Sequence, residues 1–235
     1  MAYHIDADSI RLDDLQKRIE ATDLVPSRAC LTDEIGKKIK AFEKQGIETL
    51  ASLRIKLKTP KRLASVAEAT GIDTQYLILL RREIESYFPK PATLKVFDWL
   101  PEDEIAKLEQ HEIGNTATLY EMAGSSKKRS ALVKSTGVDN ATLEMLARLA
   151  DLMRVQWVSP AFARMLIEAG YDSADKVASA DTDDLCEALS NINAEKRFFK
   201  GKIGLRDTRR LILAASYTGP EGRCGLQGEG FCASP

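Results

Sequence analysis

The sequence predicts an all-α protein made of tandem repeats of short helices, and three observations carry that reading. Apolar residues recur near a helical period between hydroxyl caps and Thr-Gly stops. The chain matches itself at a shift of 66 residues when Gly71 is laid on Gly137. A partial third copy follows at a shift of 58, with Ile113 on Tyr171. Repeats of this length, each a few short helices, imply stacked units that share a continuous core.

In chain order, Leu12, Leu15, Ile19 and Leu24 give a leading helix that starts near Asp13-Asp14 and is interrupted at Val25-Pro26. A new helix is expected near Thr32 or Asp33, with Ile35, Ile39 and Phe42 as its apolar stripe, ending at Gly46-Ile47. The next helix opens at Thr59-Pro60 and stops at Thr70-Gly71, and its copy runs from Ser125 to Thr136-Gly137; both glycines are expected at positive φ. Asp73 and Asp139 then start helices over Tyr76 to Tyr87 and Leu143 to Leu152. From Ala147 to Gly170 the chain reads as a helix end, a tight apolar turn at Trp157-Val158-Ser159, and a second helix capped by Ser159 and begun by Pro160. Asp181 starts a further acidic helix, Asn191 to Lys202 reads as a basic connection holding Phe198-Phe199, and Leu205 to Tyr217 as the last helix. Pro89-Lys90-Pro91 is the clearest internal boundary. The expected domains are an N-terminal helical segment over 1–30, a first repeat over 31–90, second and third repeats over 91–217, and a flexible Gly-rich tail over 218–235.

Composition narrows the function. The 235 residues are 44% hydrophobic, with Lys+Arg 34 against Asp+Glu 35 and a net charge of -1, so no global basic excess holds the protein to nucleic acid. The start lacks a basic region followed by an apolar run, and no apolar segment is long enough to span a bilayer. The expected location is the cytoplasm, with no membrane partner. Phosphate loops, nucleophile elbows and His-Glu-x-x-His are absent from the sequence, and the 2 histidines, His4 and His111, fall in a mobile start and at a surface helix end. Asp181, Asp183 and Asp184 suit the positive end of a helix. Cys30 and Cys186 read as small buried thiols, and Cys224 and Cys232, eight positions apart, as bystanders in the tail. No cofactor, metal or enzymatic activity is expected.

Short helices joined by a tight turn, followed by a Gly-Ile-x-Thr-like step, resemble the helix-hairpin-helix (SAM/HhH-like) superfamily. More closely, Thr59-Pro60, Leu63-Ala64 and Thr70-Gly71-Ile72, together with Ala150-Asp-Leu-Met-Arg-Val155, resemble a bacterial family of tandem helix-hairpin-helix-like domains of unknown function, over residues 31 to 217. The superfamily's turn is commonly glycine-apolar-glycine and binds a backbone phosphate through its amides, which implies nucleic-acid binding without base reading. Trp157 and Ser159, or Trp99 and Pro101, stand here in place of the glycines. The tryptophans, between apolar neighbours, are expected to be core anchors. Ser159, flanked by Arg154 and Arg164, is the hairpin that can still hold a phosphate.

Two repeated basic runs also favour an anionic partner. Lys61-Arg62 and Lys127-Lys128-Arg129 occupy first helical turns, where the dipole disfavours cations by ~0.3–1 kcal/mol each. Glutamate at all five is accordingly expected to raise stability by ~1–2 kcal/mol. Lys196, Arg197, Lys200 and Lys202 surround the two phenylalanines. The resulting expectation is a binding protein for nucleic-acid backbone, with a protein-binding helical scaffold that has lost this activity as the alternative.

Overall fold

The computed structural model describes residues 2–218; the tail with Cys224 and Cys232 lies outside the described residues. It is all-α. Among the described residues, extended pairing is limited to isolated bridges at Arg11–Thr49 and Thr93–Asn115. The chain divides at Phe88–Pro89 into two compact units, one of Ile5–Phe88 and one that joins residues 89–218 to the first residues of the chain.

The Ile5–Phe88 unit holds α1 (Leu12–Ala21), a 3-10 helix (Pro26–Thr32), α2 (Ile35–Glu43), α3 (Leu50–Leu57), α4 (Pro60–Thr70) and α5 (Thr74–Ser86). Its core gathers Ile19, Phe42, Leu53, Leu57 and Leu77, all fully buried, so α1 belongs to the same core as the helices after it. Beneath this core Glu83, 1% exposed, pairs with Arg28. Cys30, expected to be buried, is exposed, because the 3-10 turn at Pro26 presents it outward while Leu31 takes the core position.

The second unit holds a 3-10 turn (Leu94–Val96), α6 (Glu102–Gln110), α7 (Thr116–Ala123), α8 (Ser126–Thr136), α9 (Asn140–Leu152), α10 (Pro160–Glu168), α11 (Ala174–Ala178), α12 (Thr182–Lys196) and α13 (Leu205–Ser216). Phe97, Leu108, Leu119, Leu146 and Leu166 centre its core. Near the start, expected to be mobile, Tyr3 is packed into the core: it is 3% exposed, its hydroxyl donating to the Met153 carbonyl at 3.2 Å and bonded to Thr116 Oγ1 at 3.1 Å, with His4 against its ring. α12 continues to Lys196, so the expected connection from Asn191 shortens to residues 197–204.

The same local geometry occurs three times. α2, α6 and α10 each end through a residue at positive φ, Gly46 (69°), Glu112 (63°) and Gly170 (92°). In each, the next amide reaches back to the last helical turn: Ile47 to Phe42, Ile113 to Leu108 and Tyr171 to Leu166, at 3.1, 3.0 and 2.9 Å. The following short helices are capped by Thr49, Asn115 and Ser173. Thr59 and Ser125 then cap α4 and α8, which stop at Gly71 (70°) and Gly137 (68°). α12 stops instead at Arg197, also left-handed at 55°.

Candidate functional site

The basic residues at the starts of α4 and α8 turn back over the preceding helix. Arg62 Nη1 donates to the Ile55 carbonyl at 3.2 Å and Lys128 Nζ to the Glu121 carbonyl at 2.7 Å, and Ile55 and Glu121 are related by the same 66-residue shift. Both carbonyls lie in the last turns of α3 and α7, where orphan acceptors and the negative dipole end favour a cation. Arg129 donates to the Ala123 carbonyl at 3.0 Å and pairs with Glu144 at 2.7 Å. The cations are thus placed by the helix behind them rather than against the helix they begin. Lys61 and Lys127 are exposed.

Arg154 is an internal residue. Its side chain is 9% exposed, pairs with Asp151 at 2.7 Å, donates to the Thr218 carbonyl at 3.0 Å and lies 4.2 Å over the Tyr120 ring. Asp151 also accepts the Ala174 amide at 2.8 Å, so the pair fastens the end of α9 to the start of α11 and to the residue beyond α13. A cavity of about 450 Å³ beside it is lined by Arg129, Arg148 and Arg154, matched by Glu144, Asp172 and Asp151 at 2.7, 3.4 and 2.7 Å. Each arginine has a carboxylate partner and Asp175 adds a fourth carboxylate to the lining, so the cavity offers no excess of positive charge to a phosphate.

The turn between α9 and α10 differs from the expectation. Trp157 is 41% exposed, not a core anchor, because its φ of 69° directs it away from the path of its buried neighbours Val155 and Val158. Positive φ in a bulky residue is an outlier. Trp99, its counterpart, is partly buried, edge-on to Phe97 at 5.4 Å and beneath the Arg164 guanidinium at 4.8 Å. Ser159 Oγ accepts the Phe162 amide at 3.3 Å and so caps α10, as its sequence position requires.

The 197–204 connection folds onto this turn. Asn193 Nδ2 donates to the Phe199 and Gly201 carbonyls at 3.2 and 3.3 Å, and its Oδ1 accepts the Phe199 amide at 2.8 Å. That clamp sets Phe199 edge-on against Phe162 at 5.6 Å. A cavity of about 350 Å³ results, whose lining includes Trp157, Ser159, Phe162, Phe199, Lys200 and Lys202. Three expected residues, Ser159, Lys200 and Lys202, meet here although some forty positions separate them. Arg210 also lines the cavity, its guanidinium 4.3 Å over the Trp157 ring and its Nε buried with no hydrogen-bond partner among the described residues. Arg210 escaped the sequence reading; the available signal was a bulky residue standing where a hairpin calls for glycine, which marks a strained turn.

Arg164 and Lys196 converge on Glu168, Arg164 at 2.9 Å. Burial pushes the Glu168 carboxyl up, but hydrogen bonds from Lys196 and Arg164 outweigh it and hold the group below its ordinary value. Arg197 is exposed. Lys61, Arg62 and Lys127 do not line the Trp157 cavity, and Arg129 lines the compensated one. Among the described residues, no cluster of histidine, cysteine and carboxylate side chains has the arrangement of a metal site, and no helix is long and apolar enough to cross a membrane.

No curated protein and no solved structure is found to match the chain. Residues 100–217, which take in α6 to α13 and the Trp157 cavity, match the family described as Domain of unknown function (DUF4332). That match covers about half of the 235 residues, and the protein belongs to this family.

Proposed function

We propose that the protein binds the backbone of nucleic acid without enzymatic activity and without strong sequence preference, through the α9–α10 turn and the connection after α12. The observation that carries this reading is the gathering of Lys200, Lys202 and Arg210 around the capped start of α10. Pro160 has no amide and Ser159 occupies that of Phe162, which leaves the amide of Ala161, an exposed residue, at the positive end of the helix for an anion. Trp157, standing where the hairpin pattern has glycine, adopts a positive φ of the kind glycine takes freely, which supports the hairpin reading despite the replaced glycine. The test is anisotropy of a labelled oligonucleotide at rising salt. Affinity should fall steeply between about 50 and 200 mM salt, vary little with sequence, and drop in a Lys200→Glu, Lys202→Glu variant. Absence of binding at the lowest salt would sink this reading in favour of a protein-binding scaffold, which the compensated arginines around Arg154 and the net charge of -1 favour.

A further inference from the structure

We infer that the Trp157 cavity is a slot for one unpaired nucleobase of a single strand, stacked on the indole, with the adjoining phosphates met by Lys200, Lys202 and Arg210. This rests on the nucleic-acid reading above and adds to it a strand preference and a point of contact with the base.

Backbone strain at an exposed residue opens the case. A left-handed non-glycine residue is strained, and such strain concentrates at functional sites. Burial does not offset it here, since the ring is 41% exposed while the core apolar residues around it, Val155, Val158 and Leu211, are 0%, 7% and 4% exposed. Folding alone would be better served by glycine, as at Gly46 and Gly170. The rings are a second observation. Phe199, 38% exposed and edge-on to Phe162, forms another wall of the same cavity, so the opening offers aromatic surface to a flat ligand. Its volume of about 350 Å³ lies at the small end of the range for ligand pockets, about 300–1,000 Å³. A paired base within a duplex exposes only its edges, whereas stacking on an indole needs a free face, so the occupant is unpaired.

Charge defines the rest of the ligand. Lys200, Lys202 and Arg210 face the cavity, and the one carboxylate in its lining, Asp207, is turned to the Gly204 amide at 3.2 Å, at the start of α13. Arg210 is braced on the indole, and its buried Nε has no protein acceptor among the described residues. With Arg210 already over one face of the indole, the aromatic surface that remains open and the lysines of the same lining match a base joined to phosphates, in DNA or RNA alike.

The protein has 2 tryptophans, so the Trp99→Phe variant reports on Trp157 alone. This full-length variant is titrated with a thymidine oligomer of about 12 bases, an abasic oligomer of equal length, a uridine oligomer and a duplex. The thymidine and uridine oligomers should quench Trp157 emission, while the duplex should not. The abasic strand should bind about tenfold or more weakly and leave emission unchanged, given the usual worth of one base stack. In the native background, Trp157→Gly should weaken thymidine binding about tenfold and abasic binding hardly at all. Phe199→Ala, which leaves the backbone of the strained turn unchanged, should weaken binding of the thymidine oligomer several-fold and covers the case in which the glycine variant does not fold. Abasic and thymidine strands binding equally, with Trp157 emission unmoved, would overturn the slot and leave the backbone reading standing. No binding of any oligomer at low salt would overturn both.

Discussion

Replacing Glu112 by glycine should stabilise the unit that contains it. Glu112 has φ 63° at the position where the other two copies have Gly46 and Gly170. A left-handed conformation costs an L-residue about 1–2 kcal/mol, and glycine's extra freedom in the unfolded chain returns about 0.4–1 kcal/mol of that. The expected net gain is about 0.5–1 kcal/mol, or roughly 2–4 °C in Tm for a unit of this size. Little else changes, because the Glu112 side chain is exposed and makes no ion pair among the described residues. The reverse experiment isolates the torsion. A Cβ added at Gly46 or Gly170 meets nothing within 4 Å, so Gly46→Ala and Gly170→Ala should each lose a similar amount without any clash. Glu112→Ala is the control and should stay within a few tenths of a kcal/mol, since alanine is as poorly suited to positive φ as glutamate. Thermal and urea unfolding of the full chain measure all four. A glycine at 112 that fails to stabilise, or an alanine there that stabilises equally, would show that the left-handed turn is not what limits this joint.

Glutamate at Lys61, Arg62, Lys127, Lys128 and Arg129 together should lower stability by about 1 kcal/mol or more, the reverse of the expectation from dipoles alone, because Arg62 and Lys128 bond helix-end carbonyls and Arg129 faces Glu144; a raised urea midpoint would refute this. Tyr3→Phe should cost about 1 kcal/mol by leaving the buried Met153 carbonyl without that donor, and an unchanged midpoint would show that the hydroxyl is dispensable. Glu168, held below the ordinary carboxylate value of 4.5, adds stability that is complete above its unfolded pKa and lost as pH falls through the folded one. Glu168→Gln should therefore flatten the stability profile below about pH 4.5, by less than about 1 kcal/mol because both partner cations are over a third exposed, and a profile identical to the native one would count against the Arg164–Glu168–Lys196 cluster.

Much of the fold is local and was therefore legible. Thr59, Ser125 and Ser159 cap helices because their hydroxyls accept an amide three residues on, and Gly71 and Gly137 end helices because positive φ suits glycine; both signals sit within a few residues. What escaped depends on contacts distant in sequence. Nothing near Arg62 announces that its guanidinium turns back to Ile55, and nothing near Arg154 announces Thr218. Trp157 misled for another reason: its apolar neighbours suggested burial, while a single backbone angle set its exposure. Of the candidate site, Ser159, Lys200 and Lys202 were readable by residue type, but their meeting depends on the Asn193 clamp. Arg210, on the far helix, carried no local mark.

The place of Tyr3 bears on the order in which the chain can fold as it is made. Its hydroxyl partners, Thr116 and Met153, lie 113 and 150 residues further on, while all of the Ile5–Phe88 unit is synthesised in between. That unit has its whole core in hand long before Tyr3 has anywhere to go. A fragment cut at the Pro89 boundary for separate study would look complete in sequence and yet lack one core side chain. Supplying the first residues in trans as a short peptide, or grafting them ahead of Pro89 through a flexible link, is the way to restore it.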